Sequence, residues 1–206
     1  MVALPGLSTF LAKEAPGASV RVLTIPDDPG AGLSSGEVDF ALGFFDNLTS
    51  GFLQSFLNPE HFVCIVRAGH PRFRTGMSLE AFVEAKHAIA DATGMAHAII
   101  DQVLARHQIR RKDAVRVPGF HVLPMIVANS DLLAVVPNRL AQVFARFEAI
   151  KILPVPVSIP PYNVKIYWHE RYHHDPANQW FRGMFVKLHR ASNSQTARHG
   201  RSRSRS

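Results

Sequence analysis

Residues 125–141, Met125-Ile126-Val127-Ala128-Asn129-Ser130-Asp131-Leu132-Leu133-Ala134-Val135-Val136-Pro137-Asn138-Arg139-Leu140-Ala141, decide how the chain is read. A helical pattern from His121 to Ala128 leads into them. Leu132 to Val136 is a strand-like apolar run, and a second helical pattern covers Asn138 to Phe147. Helix and strand patterns taking turns at this spacing point to an α/β protein.

The alternation extends in both directions. Upstream, Leu4, Leu7, Phe10 and Leu11 share one helical face, with Pro5 suited to a first turn and Gly17 to a stop. Ser19 to Ile25 reads as a strand running into the loop Pro26-Asp27-Asp28-Pro29-Gly30, followed by a short helix at Ala31 to Ser35 that ends at Gly36. Val38 to Phe44 reads as another strand, and the continuous apolar run Phe62 to Val66 as one buried on both faces. Helical patterns follow at Leu79 to Glu84 and His97 to His107, and strand-like runs at Ile89-Ala90, Val115 to Val117, Ile150 to Val155 and Val164 to Trp168. Parallel strands need crossovers, usually helices, so this order predicts largely parallel sheets. Ligands then belong beyond the carboxyl ends of strands, in the loops after Leu42, Ala90 and Val136.

Composition excludes several classes. The 206 residues are 47% hydrophobic and 19% charged, as in a globular protein of one domain or two small lobes. The net charge of +7 suggests a nucleic-acid partner, but its location weakens that reading. Residues 191–206 hold four arginines and no acid, which leaves 19 basic against 16 acidic residues, or +3, for the first 190. The segment 191–206 has no apolar residue larger than alanine and reads as a disordered basic tail. The single cysteine, Cys64, lies in an apolar run and reads as a buried thiol; no internal disulfide is possible. Signal-peptide and membrane-span patterns are absent, which predicts a cytoplasmic protein without membrane contact.

His169-Glu170-Arg171-Tyr172-His173 matches the H-E-x-x-H pattern of zinc peptidases. That chemistry needs a helix, which brings the two histidines to one metal. Here Val164 to Trp168 reads as a strand entering the segment, and Asp175-Pro176 reads as an N-cap and first-turn proline. The next helix therefore starts after His173, and zinc hydrolysis is the disfavoured alternative. Arg110-Arg111-Lys112 reads as a solvated helix end.

Leu33-x-x-Gly36-Glu37-Val38-Asp39-x-Ala41-Leu42, then Glu60-x-Phe62-Val63 running into His70-Pro71, resembles the effector-binding region of LysR-type transcriptional regulators. Residues 125–141 match where that family carries a helix, a tight turn and a strand ending in proline. Trp168-His169, Asp175-Pro176 and Trp180-Phe181-Arg182 look like the branch that regulates aromatic-compound catabolism and nodulation. The similarity runs from about Leu4 to Leu188.

The resemblance implies two Rossmann-like lobes joined by two crossover strands, as in type 2 periplasmic binding proteins. Residues 1–61 and 163–190 would form lobe I, without its first strand, and 62–162 lobe II. The hinges would be Phe62 to Val66 and Tyr162 to Trp168. The family's winged helix-turn-helix, linker helix and first strand have no counterpart before Leu4, so this chain alone is not expected to bind DNA. The resemblance also implies a non-enzymatic domain without cofactor, in a homo-oligomer or a hetero-oligomer with an intact regulator.

By position, the implied effector contacts are Glu60, Thr93, Gly94, His97, Arg139 and Val164, with Phe45 and Phe120 as candidate ring contacts. Arg139 would pair with a carboxylate or phenolate, His97 and Thr93 would donate hydrogen bonds, and Val164 would form apolar wall. Glu60 fits least, since an acid disfavours an anionic effector. A stand-alone solute-binding protein of the same fold is the other alternative.

Overall fold

Two chain crossings organise the molecule. In the computed structural model, which describes residues 4–25, 28–91 and 95–202, one unit comprises Met1–Pro59 with Asn163–Ser206 and the other Glu60–Tyr162. The elements in chain order are α1 (Leu4–Glu14), α2 (Pro29–Ser35), β1 (Ala41–Gly43), β2 (Phe52–Glu60), β3 (Phe62–Arg67), α3 (Leu79–Glu84) and β4 (Lys86–Ala90). They continue with α4 (Met95–Arg106), β5 (Lys112–Val117), α5 (Leu123–Ala128), β6 (Ala134–Pro137), α6 (Asn138–Phe144), β7 (Ile150–Leu153), β8 (Tyr162–His169) and α7 (Pro176–Ser202). Single 3-10 turns occupy Phe120–Val122 and Glu170–Tyr172.

The first unit is built on β8, the central strand of the order β1-β8-β2. Side chains alternate across a strand, and β8 uses both faces. Ile166 and Trp168 join Leu7 and Leu11 of α1 and Met184 and Phe185 of α7, whereas Tyr167 joins Leu33 of α2, Phe45 and Leu48. Both flanking helices are capped by their sequence. Asp28 accepts from the N–H groups of Gly30 and Ala31 at the start of α2, and Asp175 accepts from Asn178 N at the start of α7. Helix α2 stops at Gly36, whose φ of 84° suits glycine and lets its N–H reach Gly32 O.

In the second unit β3 lies between β6 and β7, antiparallel to both. β4 and β5 are parallel, and a parallel bridge at His87 and Leu133 joins them to the β6 side. The strands thus run in the order β7-β3-β6-β4-β5. One face carries Val63, Ile65, Ala88, Ala90, Ala134 and Val136 against Leu123 and Val127 of α5 and Leu140 and Ala141 of α6. The opposite side chains Cys64, Val66, Ile89 and Val135 are buried too, so β3 is covered on both faces. Burial pushes the Cys64 thiol up, well away from thiolate chemistry.

Several local expectations are corrected. Ser19–Ile25 forms no strand; residues 19–24 are exposed and irregular. Branched residues give strand propensity, but a strand needs a ladder partner. β1 is shorter than the run Val38 to Phe44, and β2 forms although polar residues and Pro59 interrupt its strand pattern. The sheets are mixed rather than largely parallel: β1 is antiparallel to β8 and β3 to β6 and β7, while β4 runs parallel to β5 and to the β6 side. β3 follows β2 after His61 alone, without a helical crossover, so the alternation of helices does not set its direction. With crossings after Pro59 and Tyr162, Phe62 to Val66 is an interior strand of the second unit. Arg110-Arg111-Lys112 lies beyond the end of α4, with Arg111 paired to Asp101 at 2.5 Å and Lys112 opening β5. Finally, α7 continues through Ser202, where composition reads a disordered tail. Extending a nucleated helix through alanine, glutamine and arginine is far easier than starting one.

Candidate effector site

Strand direction defines an edge in the second unit. The parallel strands β4, β5 and β6 end at Ala90, Val117 and Pro137, and the antiparallel β3 begins there, with Phe62 opposite Pro137. Onto this edge the chain brings Glu60 and His61 before β3, Phe120 in the turn after β5, and Asn138 and Arg139 in the first turn of α6. Such carboxyl-end edges are where open α/β sheets hold ligands.

Glu60 is 5% exposed. Its Oε1 accepts from the His61 N–H at 2.9 Å and its Oε2 from the Arg139 N–H at 3.3 Å. The Asn138 N–H donates to His61 O at 2.8 Å. An acid 79 residues upstream therefore satisfies an open N–H in the first turn of α6. Burial raises the Glu60 carboxyl above the ordinary carboxylate range, opposed by the two backbone bonds and by the Arg139 charge.

Arg139 is half-buried. Among the described residues its guanidinium makes no hydrogen bond and no ion pair. Burial lowers its pKa while the Glu60 charge raises it. Beside Glu60 lies Tyr162, whose phenol is pushed up by burial and then by the Glu60 carboxylate. The Phe62 ring sits 5.2 Å from Tyr162 and 6.4 Å from Phe120. The edge thus combines a planar cation with an aromatic row.

Of the residues named from sequence, Glu60, Phe120 and Arg139 share this edge. Thr93 and Gly94, in the connection that follows β4, lie outside the described residues, as does the side chain of His97 in the first turn of α4. Phe45 and Val164 belong to the first unit. Phe45 is buried edge-on to Tyr167, whose hydroxyl donates to Phe45 O at 3.1 Å, and Val164 packs against the cluster of Leu57, Ile166 and Trp168. Phe62 and Tyr162, which the sequence marks only as hinge positions, bring two further rings to this edge.

The H-E-x-x-H match has the geometry of a strand end. His169 closes β8, Glu170–Tyr172 is a 3-10 turn, and Glu170 N donates to Gly51 O. His169 packs edge-on to Phe52, and His173 lies parallel to Trp168. Among the described residues no three His, Cys, Asp or Glu side chains gather as a ligand set.

A family model, the LysR substrate binding domain, matches residues 2–190. The chain belongs to this family. Among LysR relatives, the HTH-type transcriptional activator NahR of Pseudomonas putida is 36% identical over 188 residues, which cover 90% of this chain and 62% of that protein. The chain spans about 60% of the length of such relatives. A probable transcriptional regulator from Pseudomonas aeruginosa superposes with a TM-score of 0.77 at 30% identity, covering 88% of this chain and 60% of that one. The regulatory domain of MexT, a transcriptional activator in Pseudomonas aeruginosa, gives a TM-score of 0.75 at 24% identity over 90% of this chain and 92% of that one, a likeness of fold. The LysR effector-domain architecture, α/β of the type 2 periplasmic-binding-protein kind, is therefore that of this chain.

Proposed function

We propose that this chain senses a small aromatic anion, held at the carboxyl edge of the second unit, and that it does so for a transcriptional regulator. One observation carries the reading: a half-buried guanidinium without a partner among the described residues stands on the edge that also carries Phe120, Phe62 and Tyr162. A carboxylate or phenolate would supply the missing bidentate partner, and a ring would extend the aromatic row. Thr93, Gly94 and His97 are further contacts proposed for this effector.

No covalent step is part of this reading. Binding biases two states of a cytoplasmic oligomer, and contact with DNA is the part of a winged helix-turn-helix. The names of the relatives, the family match and the lack of a described helix long and apolar enough to cross a membrane support this assignment. The test is a thermal-shift panel of aromatic carboxylates. A member that binds raises the melting temperature, and Arg139→Ala removes the rise. A folded protein whose melting is unmoved by the whole panel overturns the assignment.

A further inference from the structure

We infer that Glu60 sets the charge that the Arg139 seat accepts: an anionic effector enters together with one proton, and Glu60 takes that proton. The inference rests on the effector reading above and adds its regulation by pH. Its basis is the arrangement of groups around a buried carboxyl. From its own connection Glu60 is faced by His61, from α6 by Arg139, and from the start of β8 by Tyr162. His61 is exposed and contributes chiefly its N–H bond. The Tyr162 phenol carries no charge near neutrality. The guanidinium of Arg139 is therefore the fixed positive charge that compensates the carboxylate.

With the seat empty, that charge serves Glu60 alone. An anion on the guanidinium cancels this compensation and adds repulsion, while the burial that penalises the carboxylate persists. The lowest-cost response is protonation. Each Glu60 oxygen accepts one backbone N–H, and an oxygen has a second lone pair to take a proton from solvent. The capping bond to Arg139 N can then survive, so α6 and the seat keep their geometry in both protonation states. Glu60 is on this account a positioning and charge-setting residue, acting through Arg139.

The test uses the full chain with benzoate as probe, over a pH range in which benzoate itself stays ionised. Isothermal calorimetry is run in two buffers of different ionisation enthalpy. Uptake of a proton on binding is expected, with affinity falling by up to about tenfold per pH unit as pH rises through the Glu60 titration. Glu60→Gln is expected to bind benzoate with a flat pH profile and no proton uptake. Benzoate binding with no net proton, or uptake that persists in Glu60→Gln, overturns the inference and leaves the effector site standing. Failure of benzoate and of the whole aromatic panel to bind overturns the site itself. If Glu60→Gln does not fold, the two-buffer measurement on the unsubstituted chain decides alone.

Discussion

The carboxylate of Glu60 accepts the backbone N–H of Arg139 at 3.3 Å, so the residue that begins the second unit holds the first turn of α6. The same contact leaves the Arg139 side chain free of that carboxylate's hydrogen bonds.

The sign of the Glu60 shift gives a stability prediction. A carboxyl raised in the folded state adds stability at low pH that is lost as pH rises through its folded value. Relative to Glu60→Gln, the unsubstituted protein should lose stability as pH climbs above the ordinary carboxylate range. Urea unfolding at a series of pH values measures the difference; parallel curves for the two proteins would refute it.

His87 predicts the opposite trend. It is 1% exposed and bonded through Nε2 to Phe82 O at 2.9 Å, and burial, with a smaller contribution from the Arg111 charge, pushes its pKa down from 6.5 to about 4. The stability of this neutral ring is present above pH 6.5 and is lost as pH falls toward 4, amounting to about 3 kcal/mol at the acid end. His87→Gln should flatten this part of the acid-unfolding profile, whatever its effect at neutral pH.

Asp175 should behave as an N-cap. Its Oδ1 accepts the Asn178 N–H at 2.7 Å, and Pro176 follows at the first helical position. Asp175→Ala should cost about 1 kcal/mol, seen as a drop of roughly 2–4 °C in melting temperature. Asp175→Asn, which keeps an acceptor, should restore most of it.

Leu123 is fully buried where α5 meets the second-unit sheet. Truncation to alanine leaves a cavity there and should cost about 3 kcal/mol in chemical denaturation. A loss below about 1 kcal/mol would mean that the sheet and α5 can close over the gap.

Zinc offers a clear negative result. His169 ends a strand and His173 lies parallel to Trp168, so the two rings do not share a helical face. Purified protein should show no stoichiometric zinc by elemental analysis, and His173→Ala should leave the metal content unchanged.

Local periodicity made much of this legible. Leu79–Glu84, the buried strand from Phe62 and the helix stop at Gly36 follow from residue spacing and punctuation, because neighbours in sequence decide them. Ser19–Ile25 has the composition of a strand but no ladder in the structure, and a ladder is a property of two segments. The antiparallel direction of β3 depends on a one-residue link, not on the pattern of helices. For the site, Arg139 and Glu60 came from family resemblance, and no local signal tells that one caps the turn carrying the other. Tyr162 carries no local signal for the same reason: its neighbour Glu60 is about a hundred positions away in the chain.

β2 and β8 belong to one three-stranded sheet, and the chain departs at the end of the one and returns at the start of the other. Topologically, residues 60–162 are an insertion with its entry and exit on strands of that single sheet. A cassette bounded by Glu60 and Tyr162 carries Arg139, Phe120 and the capping acid together. Exchanging it between relatives takes only two peptide junctions, so the proposed edge site predicts that ligand preference moves with one contiguous stretch of gene.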